Sequence, residues 1–456
     1  MLPLIVAFAI VALIVLIARV RLHAFLALML VSALTGLAAG LPPAVIAGAF
    51  QEGVGSTLGF TAVVISLGAI FGKLLADSGG ASVVARAITG AFGADALPWA
   101  VAAAGFLVGL PVFFSVGLVL LVPVVWEIAS VSGRPFLSLA FPLVAGLSAS
   151  HGLVAPHPGP IAAIERLGAD PGKSIVYGIL AGLPAMVIAG PLFTRFVALR
   201  DDAGRKLGPA NAGVAPHAPH APHAPHAPHA PQAPHAPRAP VAILMILAPV
   251  LLMLSATIAD ATLVGGHLLR RWIDFCGAPS IAMLIVTLSA YPVFGTRCGR
   301  SMKQLADATE SALLPLASVL LIVGAGGGFG RVLDRAGAGQ ALAASAAGLH
   351  VSPLLIGWVV AALLRVAVGS ATVAITTAAS LVAPVAAAVP GTSRELLVVA
   401  LGAGSLIASH VNDGGFWLVK EYLGLSVGDT LRTWTVIETI LSVGALLVVL
   451  LLSTVM

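Results

Sequence analysis

Charge is what this chain lacks most. Only 9% of its 456 residues are Asp, Glu, Lys or Arg, against about a quarter in a soluble chain. Cysteine is nearly absent: Cys276 and Cys298 are the only two, in loops expected on opposite faces of a membrane. That excludes a disulfide framework and a thiolate metal site. Strand-like alternation of apolar and polar residues is missing, which excludes an outer-membrane barrel. There is no phosphate-binding loop and no nucleophile–base pair, so neither an enzyme nor an ATP-driven pump is expected, and no cofactor is called for. The run Gly324–Gly330, GAGGGFG, does not fit G-x-G-x-x-G and reads as small-residue helix packing. The net charge of +5 is small and belongs to loops, so no nucleic-acid partner is expected.

What is present is apolar: 59% of the residues are hydrophobic. Runs of about 20 residues recur, the length a helix needs to cross a ~30 Å hydrocarbon core. The chain reads as an all-α polytopic membrane protein with about 10–14 membrane segments. Leu2–Val20 is too long for a signal h-region and lacks a basic n-region, so it is the first span. The basic loop after it (Arg19, Arg21, His23) is expected on the cytoplasmic side. Pro42–Phe60, with Gln51, Glu52 and three glycines, reads as an interfacial or re-entrant piece, and Thr61–Ala76 as the span that follows. Leu97–Ala129 is too long for one span and is interrupted at Gly109-Leu110-Pro111, which predicts a hairpin or two half-helices.

The second half repeats the first. Gln51-Glu52 matches Thr309-Glu310, Phe71-Gly72-Lys73 matches Phe329-Gly330-Arg331, and Ala149-Ser150-His151 matches Ala408-Ser409-His410. The offsets run from 257 (Asp77 to Asp334) to 261 (Leu120 to Leu381). Five net crossings per half, an odd number, make the halves inverted. The expected organisation is a first repeat over residues 1–198, a cytoplasmic linker over 199–240 and a second repeat over 241–456. The linker contains Ala215–Pro240, an Ala-Pro-His array with six histidines (217, 220, 223, 226, 229 and 235). Proline at every third position imposes polyproline II geometry, so it reads as a solvated spacer or a weak metal or pH sensor.

Two breaks organise the chain. Gly146–Ala163 crowds His151, Pro156, His157, Pro158, Gly159 and Pro160 together between apolar flanks, and Leu406–Glu421 carries His410, Asn412, Asp413 and two glycines. Broken backbone at membrane depth is tolerated only beside protein or a water-filled cavity, and in transporters it marks the binding site. Arg365 follows an apolar run and precedes another, where an arginine costs at least ~2.5 kcal/mol. It reads either as a carboxylate-binding group or as a snorkelling or structurally paired one. Asp413 reads as a proton carrier or as a cap on a half-helix. The candidate substrate-binding set is Ser150, His151, His157, Arg365, Ser370, Thr372, Ser409, His410, Asn412 and Asp413. Asp413, His151 and Glu52 are the candidates for proton coupling. His151 and His157 are six residues apart across prolines, which is no metal signature, and no metal site is expected.

GVGSTLGF (Gly53–Phe60), FGKLLADSGGA (Phe71–Ala81), SASHGLVAPHPGPIAA (Ser148–Ala163), LRVAVGSATVA (Leu364–Ala374) and SHVNDGGFWLVKEY (Ser409–Tyr422) together resemble the gluconate permease family. The resemblance covers nearly the whole chain apart from the Ala-Pro-His array. It implies a secondary transporter in an inner (plasma) membrane, taking up gluconate or a related sugar acid with protons. It also implies inverted repeats with re-entrant hairpins and broken helices, usually on a homodimeric scaffold. Three alternatives stay open: a symporter of another small hydroxy or amino acid such as D-serine, sodium coupling, and an anion channel.

Overall fold

The computed structural model describes residues 2–195, 236–263, 267–337 and 352–455. Most of the Ala-Pro-His array lies outside the described residues. The described residues form helices and no strand. In chain order the helices are α1 (Leu2–Ala18), α2 (Ala24–Ala38), α3 (Pro43–Asp77), α4 (Gly80–Gly90), α5 (Leu97–Gly109), α6 (Phe114–Ser132), α7 (Phe136–Leu153), α8 (Pro158–Leu167) and α9 (Pro171–Val187). After the linker come α10 (Ala239–Thr262), α11 (Leu268–Gly277), α12 (Pro279–Ala290), α13 (Met302–Leu313), α14 (Leu316–Arg335), α15 (Pro353–Val368) and α16 (Ala371–Ala388). The chain closes with α17 (Arg394–Leu406), α18 (Gly414–Leu423), α19 (Val427–Arg432) and α20 (Trp434–Val455).

Eight described helices are long and apolar enough to cross a membrane, and four shorter apolar ones accompany them. Large apolar side chains on the outer helices, such as Phe8 on α1 and Leu447 on α20, are exposed. Lipid is the environment in which that exposure carries no penalty.

Two sequence expectations change. Pro42–Phe60 is not a separate interfacial or re-entrant piece, because α3 runs unbroken from Pro43 to Asp77. A helical glycine costs only about 1 kcal/mol, and Gly53 is held by close packing. A Cβ there would collide with the Gly327 carbonyl, and one at Gly328 would meet the Phe50 ring. Gly324, Gly327 and Gly328 thus form the face of α14 that receives α3, whereas Gly326 and Gly330 face Thr376 and Ser380 of α16. Cys276 lies on α11 rather than in a loop, and Cys298 is buried in a 3₁₀ turn; both are free thiols.

The centre belongs to α7 and α17. Almost every residue of α7 is buried, and so is every residue of α17 from 396 to 406. Helices apolar on all faces belong inside a bundle. They cross closely: Gly402 faces the Gly152 carbonyl, and a Cβ on Gly152 would strike Leu406. Each then breaks, so the two breaks lie side by side in the interior. The predicted interruption of Leu97–Ala129 is present as the gap between α5 and α6. A second hairpin, α15–α16, turns at Gly369-Ser370.

Candidate functional site

Four interruptions come together: 110–113, 154–157, 369–370 and 407–413. In each half a side chain from the broken helix ties down the turn of the hairpin. In the first half His157 Nε2 is 2.6 Å from the Gly109 carbonyl, the last residue of α5. In the second, Asn412 Nδ2 donates to the Val366 carbonyl at 2.8 Å, near the end of α15. Such ties satisfy backbone groups that would otherwise stand unpaired at membrane depth.

Arg365 is 3% exposed. Its Nη1 donates to the Gly369 carbonyl, and its Nη2 donates to Asp413 Oδ2 at 2.5 Å. Its Nε has no partner among the described residues. Asp413 also accepts from the Ser409 hydroxyl, and from the Gly415 amide at 2.9 Å as the N-cap of α18. The reading of Asp413 as the cap of a half-helix is therefore realised, and the same carboxylate also pairs with Arg365. Ser409 in turn accepts from Trp434 Nε1 at 2.8 Å, and Thr435 donates to its carbonyl at 2.5 Å. Trp434 stacks on Phe114, the first residue of α6, with ring centroids 5.1 Å apart. One indole thus joins the first hairpin to the second broken helix.

The histidines form a pair, His151 Nδ1 standing 3.3 Å from His157 Nδ1. Their network assigns the tautomers of the neutral rings. A carbonyl only accepts, so His157 Nε2 carries the hydrogen given to Gly109. His157 Nδ1 is then an acceptor, and His151 Nδ1 is the donor to it. This leaves His151 Nε2 as an acceptor for a hydroxyl. His151 also lies within electrostatic reach of Arg365.

Arg365, Ser409, Asn412 and Asp413 form one cluster, with His151 and His157 beside it. The other candidates occupy its margin. Ser150 is buried and its hydroxyl returns to its own helix, at the Leu147 carbonyl. Ser370 caps α16 by accepting from the Val373 amide, and Thr372 follows in the first turn, half-buried. His410 Nδ1 bonds the carbonyl of Ala408, whose backbone is left-handed (φ 49°). The matched Ala-Ser-His trios are not equivalent. The first is helical, four residues ahead of its break, while the second lies within the break itself.

Glu52 is outside the cluster. It pairs with Arg331 and Arg335 on the rim of a separate cavity of about 210 Å³ that Glu165 and Arg166 also line. Sequence reasoning missed Trp434 and Glu438 on α20 and Ser148 on α7. A signal existed for Glu438, the single charged residue in Trp434–Val455; the rule that singles out Arg365 applies to it equally. Among the described residues no group of three His, Cys, Asp or Glu side chains could hold a metal.

Comparison with known proteins places this geometry. The family model "GntP family permease" matches residues 1–455. A gluconate permease of Pseudomonas aeruginosa is 45% identical over 98% of this chain and 96% of its own length. The Gnt-II system L-idonate transporter of Escherichia coli is 38% identical, with 99% of each chain covered. Among solved structures, the YdaH transporter of Alcanivorax borkumensis superposes with a TM-score of 0.69 at 18% identity, covering 95% of this chain and 99% of that one. That likeness concerns the fold alone.

Proposed function

The chain belongs to the GntP family of permeases, which makes it a multi-pass membrane transporter of the gluconate type and not an enzyme; from that premise we propose that it takes up gluconate or a closely related sugar acid together with protons across the inner (plasma) membrane. The observation that carries the reading is Arg365. It is a buried guanidinium with one unpartnered N–H, set where broken helices meet. Its planar fork suits a carboxylate. The N-terminus of α6 lacks a side-chain cap, so its amides add positive potential for an anion. The polyol hydroxyls have acceptors in His151 Nε2 and the side-chain carbonyl of Asn412. The two relatives above are named for gluconate and L-idonate, both six-carbon sugar acids.

A hairpin followed by a broken helix recurs in each half in the same order. This supports the division into repeats at 1–198 and 241–456, inverted as an odd number of crossings requires.

The test is uptake of labelled gluconate into proteoliposomes under an inward proton gradient without sodium. Accumulation that a protonophore abolishes is the expected result. Gluconate uptake that needs sodium, or that only equilibrates, would sink proton symport. A single substitution probes the wall of the proposed site. Trp434→Phe keeps the ring against Phe114 but removes the hydrogen bond to Ser409, which is worth about 1 kcal/mol. Gluconate affinity should fall about fivefold with little change in thermal stability. An unchanged affinity would detach Trp434 from the site.

A further inference from the structure

Glu438 stands one turn after Trp434 on α20 and is 1% exposed. Its carboxyl group lies beside the Ser148 hydroxyl of α7, and its Oε1 has no partner among the described residues. The charged groups within electrostatic reach of it are Arg365 from α15 and Asp413 from the break before α18; His151 of α7 lies within electrostatic reach of Arg365 in turn. Helices α9 and α17 also pack on α20. They contribute Ala185 against Gly444 and the buried stretch 396–406, which holds no titratable residue.

The charges in this space decide the argument. One guanidinium already answers one carboxylate, since Asp413 holds Arg365, Ser409 and the Gly415 amide. A substrate carboxylate on Arg365 is a second negative charge, and an ionised Glu438 would be a third. Two uncompensated charges away from water are not tolerated. Asp413 is the carboxylate with strong donors, whereas Glu438 has one hydroxyl and an open oxygen. From this arrangement we propose that Glu438 is the proton-carrying group of the transport cycle: one proton binds its carboxylate as one substrate anion binds Arg365, and both leave on the far side. The added charges, plus one and minus one, cancel, so loading the site leaves its net charge unchanged.

The proposal rests on the proton-symport reading, and two assays on one preparation separate the two. The first is accumulation of labelled gluconate driven by a proton gradient. The second is counterflow, in which unlabelled gluconate inside exchanges for labelled gluconate outside with no gradient. Glu438→Gln keeps the shape and removes the proton site. It should lose accumulation entirely, retain counterflow within about threefold of the parent, and lose the dependence of counterflow on pH. Glu438→Asp keeps a carboxyl group and should recover part of the accumulation. Accumulation by Glu438→Gln at the parent level overturns the assignment while leaving symport intact. Loss of counterflow along with accumulation in Glu438→Gln also overturns it, because a purely structural carboxyl group behaves that way. Failure of the parent protein to accumulate gluconate on a proton gradient removes the symport reading, and this proposal with it.

Discussion

Arg365→Ala should abolish gluconate uptake and destabilise the protein. The side chain joins three things at one point: the turn of the second hairpin through Gly369, the second broken helix through Asp413, and the proposed carboxylate site. Its removal leaves the Asp413 carboxylate, 15% exposed, without its cation. Removing one partner of a buried pair costs about 3 kcal/mol or more. Arg365→Lys should fail in transport as well, because a single ammonium cannot reach the Gly369 carbonyl and Asp413 in the same fork. The double variant Arg365→Ala/Asp413→Asn removes the stranded charge, so it should regain thermal stability without regaining uptake. Thermal unfolding in detergent and uptake in proteoliposomes read the two effects separately. Arg365→Ala with parental uptake would falsify the site; a double variant no more stable than the single one would remove the ion pair as the cause of the loss.

Gly369→Ala should have the next largest effect. Gly369 ends α15 with φ at 80°, a left-handed conformation that costs a residue with a Cβ roughly 1–2 kcal/mol. A Cβ there would also run into the backbone carbonyl of Asn412. Gly40 has the same φ of 80° and nothing within 4 Å of the position a Cβ would take. Gly40→Ala therefore carries the backbone penalty alone and serves as the control. Gly369→Ala should lose most of its transport, since Asn412 must shift and the tie to Val366 with it. Gly40→Ala should lose about 1 kcal/mol of stability and little transport. Equal transport in the two variants would show that the approach of Asn412 to the hairpin turn is not required.

The class of this protein and the places where its helices break were legible in the sequence because both are local properties. A run of apolar residues partitions into lipid whatever lies next to it. Proline and glycine act on their own backbone and that of adjacent residues, so the turn at Leu110-Pro111 and the gap before Pro158 could be read directly. The cost of placing Arg365 was also legible, since a charge within an apolar run is costly in any fold. The residues near Gly53 were misread because glycine is permissive rather than disruptive. Whether it bends a helix or admits a neighbour depends on what packs against it, and here that is Gly327, far along the chain. The matched Ala-Ser-His trios were misread for the same reason: three identical residues are helical on α7 and broken after α17, held by different surroundings.

Composition and local pattern thus determined by themselves that the chain is a helical membrane protein and that its helices break where proline, glycine and polar residues gather. Tertiary structure alone decided that Arg365 meets Asp413, that His157 holds the end of α5, and that Trp434 of the last helix donates to Ser409. Those pairings join residues widely separated in sequence, and their energies depend on distance, orientation and exclusion of water, none of which a linear pattern contains.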